Sequence, residues 1–373
     1  MRWKVALRGL VLLAGAWSAT SCAPNGFAAE TLIATVRILS SASDPGYAQP
    51  GSSVGVQVLA YDGRASQAEP MTVYWLPFVC EDPADDAYYA CFTPFEGGSD
   101  GGTPDVGDGG APVGLGALKP GVDLTPFLPS GSSYEFQMPA DVVAKHLHVN
   151  GSQPQYGLAI LFNAACAGHL ELLPPNPGNQ NPQQVPLGCF DKNENQLGPD
   201  DWVLGFTRVY AFDPGSAGDG GTITNANPAI SYVDVQGNDL AVTPSPNATM
   251  AYTTQAISTP HCSGNCPAIP IGPVVPSTSW EATQNVDSNG NPLHEEIWAD
   301  FYSTFGSFSG DASLLYDATK GAIDGGTSAQ ANDPSSTDNQ FTPPSTPGSG
   351  FIWMVIHDNR GGASWVTVPV TVQ

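Results

Sequence analysis

The chain has 373 residues, of which 42 are glycine and 35 are proline, and only 12% are charged. This balance favours short strands and long turns over long surface helices, which need many more Lys, Glu and Arg residues. Acidic residues outnumber basic ones 35 to 11, so the net charge is −24. Such a surface repels phosphate backbones, and the composition therefore excludes nucleic acid as a partner.

The N-terminus predicts an export signal, residues 1–21. Three basic residues precede the apolar run "LVLLAGAW" at positions 10–17, which is too short to span a bilayer as a stable helix. The basic residues are Arg2, Lys4 and Arg8. The next four residues, Ala-Thr-Ser-Cys at positions 19–22, resemble the lipobox of bacterial lipoproteins, with Ala19 where leucine is usual.

Cys22 is therefore the predicted lipidation site. In a lipoprotein this cysteine is acylated through its sulfur and becomes the new N-terminus, so residues 22–30 would form the lipidated cysteine and a tether. The protein would then be an outer-membrane lipoprotein of the cell envelope, on the periplasmic or the surface face, held to the membrane by its lipid anchor. The alternative is ordinary signal-peptide cleavage near Ala28 or Ala29, which would give a secreted protein.

Along the rest of the chain, β-branched and aromatic stretches recur between Gly, Pro, Asn and Asp residues, a pattern typical of strands. The first series comprises residues 31–39, 53–62, 71–79, 133–138, 156–164 and 202–213. The second series comprises residues 229–236, 295–305, 350–358 and 364–372. Only residues 139–149 have a pattern that favours one or two helical turns.

The two series predict an all-β fold of two tandem immunoglobulin-like β-sandwiches with long Gly/Pro-rich loop insertions. The first sandwich would cover residues 31–214 and the second residues 215–373. Each series has a strand with a central tryptophan, Trp75 or Trp298, as expected for the core strand of such a sandwich. The insertions predicted as surface loops are residues 93–131, 171–187, 257–278 and 318–349.

The chain contains seven cysteines, which an exported protein generally pairs. Setting Cys22 aside leaves six, and nearness in the chain predicts three disulfides while other connectivities stay open. The predicted pairs are Cys80 with Cys91, Cys166 with Cys189, and Cys262 with Cys266. Closing a loop of the size of the second pair would stabilise the fold by roughly 3 kcal/mol.

Two stretches alternate oxygen-bearing side chains as calcium loops do, "DKNEN" from position 191 and "DSNGN" from position 287. The candidate ligands are Asp191, Asn193, Asn195, Asp287, Asn289 and Asn291. Neither stretch continues as an EF-hand, and Asp and Asn are also common turn residues. The sequence therefore predicts no cofactor other than a structural calcium ion, with plain turns as the alternative.

Other motifs favour structural interpretations. "GSSVG" at 51–55 leads into a strand rather than a helix, so a turn is favoured over a nucleophile elbow. "HCSGNC" at 261–266 is simplest as a small disulfide loop, although a redox or metal site has similar spacing. His146 and His148 with His169 could form a zinc site, but solvent-facing histidines are the simpler interpretation. The acidic run at 81–86 predicts a solvated loop.

The stretch "HDNRGGASW" at 357–365 predicts a tight hairpin, because its glycines can adopt the positive φ that such a turn requires. His357, Asp358 and Arg360 lie close together in sequence and could suggest a catalytic site. Alternation along a strand points His357 and Asp358 to opposite faces, however, and the hairpin is the favoured interpretation.

Several of these stretches together resemble uncharacterised predicted lipoproteins of myxobacteria and related bacteria that carry immunoglobulin-like domains. The stretches are "TVRILSSASDPGYAQPGSSVGVQVLAYD", "VYWLPFVCEDP", "LGPDDWVLGFTRVYAFD", "NANPAI" and "FIWMVIHDNRGGASW". The resemblance spans residues 31–373 and implies a β-sandwich protein of the cell envelope. Its motifs are structural, and it supplies no catalytic residue.

The sequence thus predicts a surface-anchored, non-catalytic lipoprotein with a structural, adhesive or binding role in the envelope. Its partner would be an envelope protein or a polysaccharide that the sequence does not identify. One alternative is an accessory subunit of an envelope or secretion complex, which would carry an exposed apolar patch. Another is a secreted hydrolase acting on polysaccharide, which would need two carboxylates roughly 5 to 9.5 Å apart across a groove.

Overall fold

The structure, a computed structural model, describes residues 30–96, 120–146, 155–174, 185–216, 221–245, 248–279, 295–317 and 338–373. The predicted export signal and Cys22 lie outside these residues. So do His148 and the second calcium-like stretch with Asp287, Asn289 and Asn291. Residues Thr31–Gln373 form one compact unit.

The N-terminal half folds into three sheets, with strand orders β1-β3-β5, β2-β9-β6-β4 and β7-β8. Its strands are β1 (Val36–Asp44), β2 (Tyr47–Ala48), β3 (Ser53–Asp62), β4 (Thr72–Glu81), β5 (Ser133–Gln137), β6 (Gly157–Cys166), β7 (His169–Leu172), β8 (Leu187–Phe190) and β9 (Trp202–Ala211). A single helical turn, α1 (Val142–Lys145), lies within the stretch predicted to be helical. All ten residues of β6 are buried, as expected for a continuous apolar strand in the middle of a fold.

The first two sheets pack face to face around Trp75 of β4. The Trp75 side chain is fully buried, stacks on Tyr134 at 5.5 Å between ring centroids, and donates a hydrogen bond from Nε1 to the Gly131 carbonyl at 2.9 Å. Its cluster includes Val56 from one sheet and Val209 from the other. The short β2 pairs parallel with β9. A three-stranded and a four-stranded sheet enclosing a buried tryptophan form an immunoglobulin-like sandwich.

The C-terminal half forms one large sheet of order β16-β18-β14-β10-β11-β12-β20-β19-β15-β17, with β13 also paired to β20. Its strands are β10 (Tyr232–Val235), β11 (Asn238–Ser245), β12 (Ala248–Thr254), β13 (Ile257–Thr259), β14 (Ile269–Val274), β15 (Glu296–Ser303), β16 (Ser307–Phe308), β17 (Ala312–Asp317), β18 (Asn339–Thr342), β19 (Gly348–Asp358) and β20 (Ala363–Val372). Ile271 and Phe341, near one end of this order, share a core with Phe301 and Ile356, near the other end. The sheet therefore folds over itself, and the all-β sandwich prediction is confirmed.

Some details of the prediction were wrong. Trp298 is half-buried and stacks on His357, whereas Ile297, Ala299 and Phe301 of the same strand fill the core, so the strand presents its tryptophan to the other face. The insertion predicted at 257–278 contains β13 and β14, and the one at 318–349 contains β18. In β14, Pro270 and Pro273 conceal the alternation of the buried Ile269 and Ile271.

The two halves share one apolar cluster. Leu39 of β1 packs there with Trp353 of β19 and Trp365 of β20. The chain that leads into β1 also attaches to the C-terminal half, because the amides of Ile33 and Ser303 bond to the carbonyls of Ser303 and Thr31 at 2.9 and 2.8 Å. The proposed domain boundary at 214/215 stays a prediction.

Arg64 joins the two sheets of the N-terminal sandwich. It bonds Asp62 at the end of β3 through Nε and Nη2, both at 2.8 Å, and Asp201 next to β9 through Nη1 at 2.9 Å. Nη2 also donates to the Glu69 carbonyl at 2.8 Å. Although burial acts to raise the pKa of Asp62, these bonds hold it below its ordinary value. The guanidinium thus bridges two carboxylates, one from each sheet.

We expect Arg64→Met to lower the free energy of unfolding by about 2 kcal/mol, because Asp62 and Asp201 lose charged hydrogen bonds in a partly buried place. Urea denaturation would measure the loss. The matched control is Arg37→Met on neighbouring β1, which should change stability much less. Because the pKa of Asp62 is lowered, its contribution is complete at neutral pH and fades below the ordinary value of 3.8, so the difference between the proteins should shrink in acid. A difference that persists unchanged at pH below that value would contradict this account.

Candidate functional site

Six cysteines form three disulfides, Cys80–Cys91, Cys166–Cys189 and Cys262–Cys266. These are the pairs predicted from nearness in the chain. Cys166 and Cys189 are fully buried, and their bond ties the end of β6 to β8. Disulfides persist in oxidising compartments, so the folded chain is extracytoplasmic. Among the described residues, no helix has the length and apolarity required to cross a membrane.

A cluster of one histidine and two glutamates lies directly beside the Cys166–Cys189 disulfide; we call it the His169 cluster. His169 and Glu171 are two residues apart on β7 and therefore lie on one face of that strand. Glu194 reaches them from the turn after β8. The His169 Nε2 atom lies 3.0 Å from Glu171 Oε1 and 3.5 Å from Glu194 Oε2.

Charge and burial distinguish the members of the His169 cluster. Glu171 is only 7% exposed, whereas the Glu194 side chain is 72% exposed. Burial acts to lower the pKa of His169, but the hydrogen bond to Glu171 and the charges of Asp123 and Glu194 raise it overall. The cluster is therefore a negatively charged site in which Glu171 is buried in the protein and Glu194 is exposed to water.

The neighbouring turn differs from the predicted calcium loop. The Asp191 carboxylate accepts hydrogen bonds from the backbone amides of Asn193 at 2.8 Å and Asn195 at 2.9 Å, and from Asn195 Nδ2 at 3.0 Å. The side-chain bond from Asn195 and these backbone bonds lower the pKa of Asp191 to about 2. This is the geometry of an Asx turn. Calcium binding by Asp191, Asn193 and Asn195 stays a prediction.

The sequence suggested a zinc site in which His169 joins His146 and His148, and it did not suggest the two glutamates as partners. The structure gives His146 a different partner, because its Nε2 lies 2.8 Å from Asp86 Oδ1. The His-x-Glu spacing at 169–171 would have indicated that two of the residues share a strand face. No local pattern indicates Glu194, because its approach depends on a turn in which it has a positive φ of 62°.

The acidic loop at 81–86 lies inside the Cys80–Cys91 bridge with Glu81 and Asp85 exposed, as predicted, but two of its carboxylates are bonded to the fold. Asp86 accepts a hydrogen bond from the Tyr156 hydroxyl at 2.6 Å, and Asp82 accepts one from the Leu158 amide at 2.8 Å. Burial raises the pKa of both Asp82 and Tyr156. The Cys80–Cys91 disulfide closes this loop beside the start of β6. The carboxylates of Asp82 and Asp86 therefore accept hydrogen bonds from the Leu158 amide and the Tyr156 hydroxyl, which would otherwise bond to water.

The predicted hairpin at 357–365 is confirmed. The Asp358 carboxylate accepts from the amides of Arg360 at 2.8 Å and Gly362 at 2.7 Å, and Gly361 has a φ of 97°. His357 lies on the opposite face, stacked on Trp298. The residues that looked like a catalytic group in the sequence therefore separate, as alternation predicts.

This hairpin also takes part in a partly buried polar junction between the two halves, made with residues 224–228. Asn227 donates through Nδ2 to the Ser43 carbonyl at 2.7 Å and accepts the Ala363 amide at 2.9 Å. Arg360 donates to the Thr224 carbonyl, and its guanidinium lies 5.4 Å above the Tyr47 ring. The junction fixes the hairpin against β1 and β2.

The remaining motifs have structural partners. Ser53 of the "GSSVG" stretch begins β3, so no helix follows the serine as a nucleophile elbow requires. His261 beside the Cys262–Cys266 disulfide lies 2.8 Å through Nδ1 from the Gln373 carbonyl. The first stretch therefore forms a turn that enters a strand, and the second a small disulfide loop, the structures favoured for them from the sequence.

No protein-family model matches the sequence, and no curated protein matches it. Over 90% of its length the chain is similar to a solved structure of the D0-D1 domain of Intimin, with 8% identity, 97% coverage of that chain and a TM-score of 0.18. It is also similar over 60% of its length to a glycosyl hydrolase family 2 member from Bacteroides cellulosilyticus, with 9% identity, 24% coverage of that chain and a TM-score of 0.15. TM-scores this low establish neither a shared fold nor a shared function.

Proposed function

We propose that this protein is a lipid-anchored, non-catalytic component of the bacterial cell envelope, in which its fused β-sandwiches act as a structural or binding module. The anchor would be Cys22, after removal of residues 1–21. The partner would be an envelope protein or polysaccharide. Long loops between strands supply the variable surface that a sandwich uses for such contacts.

The observation that carries the proposal is the pairing of the other cysteines. Six of the seven are joined to each other in three disulfides, which leaves Cys22 as the cysteine outside this framework. An exported protein rarely keeps an unpaired cysteine without a use for it. Acylation of Cys22 supplies that use, because it turns the sulfur into the membrane attachment.

The joined halves support the structural part of the proposal. The apolar cluster around Leu39, Trp353 and Trp365 is continuous between them, and the polar junction at Asn227 and Arg360 adds directional bonds. Large apolar interfaces suppress relative domain motion. A module that presents a surface at a fixed orientation to its anchor benefits from such rigidity, whereas many enzymes need a closing cleft.

The test is intact mass spectrometry of the protein purified from membranes of its native host, with Cys22→Ala as the variant and Ser21→Ala as the matched control. We expect a chain that begins at Cys22 with diacylglyceryl and acyl groups in the wild type and the control. The Cys22→Ala protein should lack these groups and leave the membrane fraction. An unmodified wild-type chain that begins near Glu30 would overturn the anchor and favour a freely secreted protein.

A further inference from the structure

The atoms of the His169 cluster are spaced as the ligands of a single ion are. His169 Nε2, Glu171 Oε1 and Glu194 Oε2 all lie within 4.8 Å of one another, and the two N–O separations are 3.0 and 3.5 Å. Zinc binds such atoms at about 2.0–2.2 Å in a tetrahedron, which separates neighbouring ligand atoms by about 3.3–3.6 Å. The three side chains therefore need only small rotations to hold an ion.

The scaffold beneath the cluster is rigid. His169 and Glu171 project from β7, which pairs with β8 from His169↔Phe190 to Leu172↔Leu187. The buried Cys166–Cys189 disulfide fixes the start of this pair, and the Asp191 turn fixes the segment that carries Glu194. Fixed ligands of this kind lower the ordering cost of binding an ion.

The charges of the cluster also favour a cation, because one imidazole pairs with two carboxylates. Glu171 is 7% exposed and directed into the cluster, close to a second carboxylate, in a chain with a net charge of −24. Among the residues that the structure describes, the ion pairs at Glu171 and Glu194 come from the His169 imidazole alone. Buried charges are generally paired or bound to metal, and an ion of charge +2 would neutralise both carboxylates.

We propose that His169, Glu171 and Glu194 bind one divalent transition-metal ion of the zinc class. The imidazole nitrogen selects this class, because calcium and magnesium prefer oxygen ligands and, for calcium, six to eight of them. Three protein ligands leave a fourth position, on the side of the exposed Glu194, for water or a side chain of a binding partner. The ion joins β7 to the 191–195 turn across the protein surface.

The test is isothermal titration of Zn²⁺ alone into the full exported chain with its disulfides intact. We expect one Zn²⁺ per chain, affinity reduced about tenfold or more in Glu194→Gln and in His169→Ala, and no displacement by excess Ca²⁺. Glu194→Gln keeps the size of an exposed side chain, so it remains informative if His169→Ala folds poorly. His261→Ala, which removes an exposed imidazole in the other half, is the matched control and should bind as the wild type does.

Substitution with Co²⁺ gives a second readout, because a four-coordinate site produces strong visible absorption that Glu194→Gln should diminish. The proposal is overturned if the wild-type chain binds no stoichiometric Zn²⁺. It is equally overturned if both cluster variants bind as tightly as the wild type, or if Ca²⁺ displaces Zn²⁺ from the chain. These outcomes are independent of lipidation at Cys22.

Discussion

Arg360→Met is expected to lower the free energy of unfolding by about 3–5 kcal/mol, the largest effect of any single substitution considered for this protein. The Arg360 side chain is 1% exposed, and its Nη1 lies 3.9 Å from the Glu295 carboxylate, whose side chain is equally buried. Methionine fills similar volume but removes the guanidinium from Glu295, from the Thr224 carbonyl and from the Tyr47 ring. Urea denaturation would measure the loss.

The control for Arg360→Met is a double variant that also carries Glu295→Gln. If the loss arises from a buried carboxylate without its guanidinium, neutralising Glu295 should restore part of the stability. Asn359→Ala, an exposed residue of the same turn, should have a small effect. A loss below about 1 kcal/mol for Arg360→Met, with no recovery in the double variant, would show that the junction contributes little.

Removal of the Cys166–Cys189 disulfide by Cys166→Ala with Cys189→Ala is expected to cost about 3 kcal/mol, because a loop of 23 residues regains its freedom in the unfolded chain. Both sulfurs are fully buried, so the lost contacts add to this amount. Thermal and urea unfolding of the oxidised proteins would measure the change.

The matched control for that disulfide is Cys262→Ala with Cys266→Ala. This bond spans a sequence separation of only 4, so the chain-entropy model gives a smaller loss of about 2 kcal/mol, and the half-buried site adds little. Equal losses for the two double variants would indicate that loop length does not govern the effect. A larger loss for the Cys262–Cys266 pair would contradict the prediction outright.

The sequence predicted the strands with clear apolar patterns, nearly continuous in β6 and alternating in β20, because alternation and burial follow directly from residue type. It could not tell which face of β15 enters the core, since aromatic residues lie on both faces, and so Trp298 was placed wrongly. Strand β14 was taken as part of a loop because Pro270 and Pro273 lie within it, yet Ile269 and Ile271 alternate around the prolines.

For the candidate site, the sequence supplied part of the information. Nearness in the chain was sufficient for the disulfides, because short loops close at low entropic cost. The His169 cluster depends instead on a turn that directs Glu194 rather than Asp191 towards β7, a choice made by hydrogen bonds to Asp191. The Asp191 side chain competes with backbone carbonyls for these amide donors, and neither composition nor hydrophobic periodicity predicts which acceptor is used.

If the chain is anchored through Cys22 as proposed, the hydrogen bonds between residues 31–33 and Ser303 have a mechanical consequence. Tension that arrives through the residues before Thr31 reaches β15 in the C-terminal half at Ser303 and β1 in the N-terminal half at the same time. The hydrogen bonds at Ser303 therefore transmit part of the force to the second sandwich. Tension on the tether is then distributed over both sandwiches and does not unfold the first one alone.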